Sequence, residues 1–274
     1  MARRPSPLTR VLSTALAAGT LLTTAACSDG DDADGSRASG ITATRVAGKQ
    51  QTPSPSATLT TDGARAALIT EADIEDDWTQ VKDTEAENWH DSLLIGTVDV
   101  SDFLTAKADS ADCQRLMDSL FDDDLLGKPS GTSALRGFQQ GDSRLLYQVA
   151  SYDRTDPQGS LNWMANLPEE CAQFTVTEDG EERTVQVIEV SLPKVGDARQ
   201  GLRVTVQGST GGTEATLTLE VAAVRVGNDA ITVTAGGLDG DEQDSVEQAV
   251  KIGTQNLKDV LAGKTPPADP SQVE

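Results

Sequence analysis

The chain has 274 residues, 22 of them basic and 44 acidic, with a single histidine and a formal net charge of −22. A surface of that sign repels nucleic acid and anionic lipid heads, so neither is an expected partner. One histidine and no Cys-x-x-Cys also leave no ligand set for zinc, and no metal or cofactor is expected.

The first 26 residues follow the grammar of an export signal. Arg3, Arg4 and Arg10 are unaccompanied by any acid, and Val11 to Ala26 is an uncharged, mostly apolar run. A bilayer-spanning helix needs about 20 apolar residues, and this shorter run is diluted by Ser13, Thr14, Gly19, Thr20, Thr23 and Thr24. Thr24-Ala25-Ala26 ahead of Cys27 resembles a lipobox. On that reading residues 1–26 are a signal peptide and Cys27 is the lipid attachment site, its acyl chains holding the protein on the extracytoplasmic face of the cell membrane. The rival readings are a plain secretory peptide and a retained N-terminal anchor. Arg3-Arg4 is followed by Pro5 and Ser6, so the choice between general and twin-arginine export stays open. Cleavage would leave 19 basic against 44 acidic residues.

Residues 27–61 carry almost no large apolar side chain and include Pro53-Ser54-Pro55-Ser56, so they are expected to form a disordered tether. Asp29, Asp31, Asp32 and Asp34 lack the spacing and closing glutamate of a calcium loop. Residues 62–263 are read as one domain and 264–274 as a disordered tail.

Within the domain, Ala66 to Ile69 predict a short helix, followed by a capping signal at Thr70 to Asp73 and then Trp78. Leu93 to Val100 predict a strand, with Trp89 and His90 in the loop before it. Ser110 caps an amphipathic helix carrying Cys113, Leu116, Met117, Leu120 and Phe121, expected to end at Gly127 and Pro129 with Asp122, Asp123 and Asp124 at its solvated end. Ser133 to Gln139 and Ser143 to Tyr152 read as a hairpin. Asp156-Pro157 opens a helix that is expected to break at Pro168 and resume through Cys171 to Phe174.

After Gly180 the period becomes two. Val185 to Leu192 predict a strand with a parity slip read as a bulge, and the runs Leu202 to Val206, Ala215 to Ala223 and Ile231 to Ala235 complete a meander. A final helix follows with Val246, Ala249, Val250, Gly253, Leu257 and Val260 on one stripe. Hairpins in place of βαβ crossovers predict an α+β fold, a mostly antiparallel sheet with helices packed on one face.

With Cys27 assigned to lipid, Cys113 and Cys171 form an even remainder. In an oxidising compartment that predicts a disulfide, two free buried thiols being the alternative.

The order of Leu68 to Trp78, the helix at Cys113, Arg136-Gly137-Phe138, Tyr147 to Tyr152, Trp163 and Cys171, followed by a β-meander, resembles the PknH-type extracellular sensor domain. That family occurs on actinobacterial receptor kinases and on stand-alone lipoproteins. The resemblance implies an α+β domain, disulfide staples and a cleft for an unidentified ligand. This chain departs from it in having one possible disulfide where the kinase domain has two, and in carrying no kinase segment.

No nucleophile elbow, phosphate loop or singled-out carboxylate pair occurs, so no catalytic residue is assigned and the chain is read as not an enzyme. The expected function is that of a surface lipoprotein with a sensor-like domain that binds an unknown small molecule or envelope protein. The alternatives are a carrier of apolar envelope molecules and a carboxylate-based hydrolase. Trp78, Trp89 and His90 are the candidate ligand-binding residues.

Overall fold

Alternating hydrophobicity in the second half of the chain becomes one continuous sheet. The computed structural model describes residues 58–266 apart from 75, 76, 97, 179, 211, 239 and 241. The leader, Cys27, the tether to residue 57 and the tail from 267 lie outside the described residues.

The elements in chain order are α1 (Thr61–Ala66), a 3-10 turn (Glu71–Asp73), β1 (Thr79–Gln80), α2 (Asp83–Ala86), β2 (Leu94–Ile95), β3 (Val98–Asp99), α3 (Ser101–Leu104) and β4 (Lys107–Ala108). There follow α4 (Ala111–Ser119), β5 (Ser133–Gln140), β6 (Ser143–Ser151), α5 (Pro157–Glu170), β7 (Gln173–Glu178), β8 (Glu181–Val190), β9 (Ala198–Thr210), β10 (Thr213–Val226), β11 (Asp229–Gly237) and α6 (Gln243–Leu261). Nine strands form an antiparallel sheet in the order β1-β5-β6-β11-β10-β9-β8-β7-β4, and β2 pairs with β3 alone.

The fold is α+β with an antiparallel meander, as expected, but the helices cover both faces of the sheet where one was predicted. Leu217, Leu219, Val221 and Ala223 of β10 join the core beneath α4 and α5, while the intervening Ala222, Val224 and Val226 join the core beneath α1 and α6. Burial on both sides is why every residue of β11 is buried and why its alternation of Ile, Thr, Val and Thr conceals which face is covered.

The sequence pattern and the structure part company at four places. Leu93 to Val100 is a hairpin turning at Gly96, not one strand. Helix α5 runs unbroken through Pro168 to Glu170, and Phe174 belongs to strand β7. The β8–β9 register is regular from Thr184↔Gln207 to Val190↔Gly201, so the parity slip is no bulge: Ile188 points outward, 51% exposed. Helix α4 ends at Ser119 because Leu120 is extended and Phe121 has φ +53°, well short of Gly127.

Between β1 and β4 the chain crosses the whole α4–α5 face. β1 clasps the edge strand β5 at Phe138 and Gln139, and β4 clasps β7 at the other edge. Between the clasps Val81, Ala86, Trp89, Leu93, Phe103 and Leu104 are buried in that face's core. Gly137 admits the crossing: a Cβ there would lie 2.5 Å from the Ala86 methyl and 2.7 Å from the Trp89 ring.

Candidate functional site

The loop that leaves α4 carries two adjacent acids, Asp123 and Asp124, whose pKa values burial raises. Cys113 and Cys171 form a disulfide, with Cα atoms 5.7 Å apart and both residues fully buried. The bridge fixes α4 against the C-terminal end of α5. Because α4 stops early, the next residues turn inward toward β6. The main-chain carbonyl of Asp123 accepts a hydrogen bond from Gln148 Nε2 at 2.7 Å, and the buried Gln148 accepts one from Thr232 at 3.1 Å. Asp122, Asp123 and Asp124 are therefore half-buried, not the solvated helix end that spacing alone predicts.

Beside them lies a cavity of about 270 Å³. It is bounded by Ala86 and Glu87 at the end of α2, by Phe121, Asp122 and Asp123, by Ser133, Ala134 and Leu135 of β5, and by Leu146 of β6. Burial, a hydrogen bond that its protonated carboxyl donates to Asp122, and the Asp122 and Asp124 charges raise the pKa of Asp123 above its ordinary 3.8, against the lowering influence of Lys128. Asp124 is raised too, chiefly by burial and then by Asp122, while Lys128, His90 and Arg115 oppose the shift. Burial also raises the phenol of Tyr152, with Asp123 and Asp124 adding to it. The Tyr152 hydroxyl is buried and has no hydrogen-bond partner.

The three candidates read from the sequence separate. Trp78 is buried on the α6 face, its indole N–H donating to Ser245 Oγ at 3.1 Å, so it is a core residue remote from this cavity. Trp89 is buried on the cavity side, edge-on to Phe121 with ring centroids 5.8 Å apart. His90 Nδ1 lies 2.8 Å from the Leu120 carbonyl. A carbonyl oxygen only accepts, so Nδ1 carries the proton and the imidazole pins the start of the acidic loop. Trp89 and His90 thus hold the wall of the cavity from behind, and neither lines it. The residues missed were the aspartates themselves; the signal available was three consecutive acids between large apolar neighbours, Phe121 and Leu125.

The arrangement is suited to a cation. Two adjacent half-buried carboxylates favour a positive charge beside them. An ammonium or guanidinium group entering the cavity can supply that charge. Among the described residues no group of three or more His, Cys, Asp or Glu side chains is arranged to hold a metal ion.

No family model matches the chain, and no curated protein matches it. Among solved structures it is similar to the extracellular domain of PknH from Mycobacterium tuberculosis, at 15% identity over 75% of this chain and 98% of that one, with a TM-score of 0.46. The chain resembles the PknH extracellular domain. It is similar also to the Rv0999 ortholog from Mycobacterium smegmatis, at 17% identity over 73% of this chain and 97% of that one, with a TM-score of 0.39.

Proposed function

We propose that the chain is a lipid-anchored, extracytoplasmic binding protein without catalytic activity, its ligand taken at the cavity beside Asp122 and Asp123. The observation that carries the reading is the buried Cys113–Cys171 disulfide. Such a bond is formed and kept in oxidising compartments and is rare in a reducing cytosol, which agrees with the export grammar ahead of Cys27. No helix among the described residues is long and apolar enough to cross a membrane, and acyl chains on Cys27 would supply the attachment.

The carrier alternative calls for an apolar cavity between sheet and helices. Those spaces hold packed side chains, with Phe121, Leu116 and Met117 fully buried on one face and Tyr147 and Phe138 on the other. The cavity beside Asp123 is bordered by carboxylates.

Two measurements test the proposal. Cys27→Ala is expected to move the protein from the membrane fraction to the soluble extracytoplasmic fraction; unchanged membrane association overturns the lipid anchor. Native mass spectrometry of protein recovered from its own envelope is expected to show a bound small molecule or partner. Repeated recovery with neither counts against a binding role.

A further inference from the structure

The cavity beside Asp123 meets the sheet at an open edge. Ser133, Ala134 and Leu135 are consecutive in β5, so their side chains alternate between faces. Leu135 packs into the core beneath α4 and α5, and Ala134 into the core beneath α1 and α6. A single cavity bordered by all three therefore reaches the backbone edge of the strand and not one face of it. Among the described residues no strand pairs with that edge along Ser133 to Leu135. β1 pairs only with Phe138 and Gln139, and the Val81 amide adds one bond to the Gly137 carbonyl at 2.9 Å. Among the described residues the ladder partners of Ser133, Ala134 and Leu135 are all on β6, on the inner side.

An unpaired strand edge offers a row of backbone donors and acceptors that an added strand can satisfy. Here the row ends at a recess lined by Asp122, Asp123 and Glu87 and holding no basic side chain. A carboxylate accepts from an ammonium or guanidinium N–H, so the recess matches a basic side chain in charge and in hydrogen bonding.

We infer that β5 is a docking edge for an extended peptide: the peptide backbone pairs with Ser133 to Leu135, and a lysine or arginine side chain enters the recess between Asp122, Asp123 and Glu87. At about 270 Å³ the recess takes one long side chain, so specificity lies in a single basic residue within an otherwise tolerant strand. The inference rests on the binding half of the function proposed above and is independent of the lipid anchor.

The test uses the full chain purified in detergent and immobilised. It is challenged with pentapeptides capped at both ends, randomised at the flanking positions and carrying lysine, arginine or norleucine at the centre. Lysine or arginine is expected to be enriched at least about tenfold over norleucine, since a hydrogen-bonded charge pair in a recess of this kind discriminates by about that factor. Enrichment is expected to vanish in the Asp122→Asn/Asp123→Asn double variant, which keeps the wild-type circular dichroism. Hydrogen exchange at the Ser133 to Leu135 amides is expected to slow when the best peptide is bound. Equal recovery of norleucine, enrichment that survives the double variant, or unprotected edge amides overturns the proposal. Competition by free 1,5-diaminopentane as strong as that of the best peptide would overturn the strand-pairing part. If native mass spectrometry still shows a ligand when the peptides fail, the binding role stands and only the peptide edge falls.

Discussion

The two faces of the sheet are covered in opposite ways. One carries α6, a single 19-residue helix with a continuous apolar stripe, joined by the short α1. The other carries α2, α3, α4 and α5 with loops between them, and it holds the Cys113–Cys171 disulfide and the acid-edged cavity beside β5. A long helix buries its stripe against a sheet with few interruptions. Several short helices leave seams. The second face closes most of its seams with apolar side chains and one covalent bond, and keeps one polar seam at the β5 edge.

The largest expected effect comes from removing the covalent bond. Opening a loop with a sequence separation of 58 between Cys113 and Cys171 raises the conformational freedom of the unfolded chain, worth about 4 kcal/mol in the chain-entropy account. Cys113→Ala/Cys171→Ala is expected to lower the melting temperature, and hydrogen exchange should show α4 and the Phe121 to Leu126 loop loosening well before α6. Uniform loss of protection over both faces would erase the contrast between them.

The long-helix face should fail by crowding instead. A Cβ at Gly253 would lie 2.1 Å from the Tyr147 hydroxyl oxygen and 2.7 Å from the adjacent ring carbon. Tyr147 is fully buried within β6 and cannot swing aside. Gly253→Ala is therefore expected to destabilise by about 1–3 kcal/mol in denaturant unfolding, with α6 lifted from the sheet. A neutral outcome would mean that this face is looser than its packing implies.

The smallest effect has the opposite sign. Burial, the hydrogen bond its protonated carboxyl donates to Asp122, and the neighbouring charges hold Asp123 above its ordinary 3.8. Between 3.8 and the raised value the folded protein binds more protons than the unfolded chain, so the cost of this carboxylate appears as pH rises through that window and is complete above it. Asp123→Asn removes the cost. It should stabilise the protein at pH 7 by less than about 1 kcal/mol, since the group is half-open to water, and the gain should disappear below about pH 3.8. A loss of stability at pH 7 would mean that the Asp123 carboxylate makes a net stabilising contact in the folded protein and is not a strained member of a binding site.

What the sequence reveals follows the same division. The α6 stripe and the alternation in β9, β10 and β11 repeat for long enough to be read, and those elements are found where periodicity places them. Strands β1 and β4 have two residues each and owe their existence to the edges they meet, which no local pattern encodes. β7 is concealed because Cys171 and Phe174 continue the spacing of α5 although Cys171 is its last, non-helical residue. The acidic loop is legible as composition but not as burial, since only the early end of α4 and the Gln148 contact turn it inward. Trp78 and Trp89 lie 11 positions apart in the chain and on opposite sides of the sheet, because the chain passes round the β1 edge between them.

That passage has a consequence for the order of assembly. The 26 residues between Gln80 and Lys107 fasten to both outer edges of a sheet whose nine strands, at about 4.8 Å apart, span about 38 Å. They come from the first part of the chain, yet both of their anchor points, on β5 and β7, are made later in sequence and are brought into position only when the strands between them have paired. The crossing segment is thus a buckle expected to close last, after the strands between its anchors have paired, and to keep the finished sheet from opening at its ends.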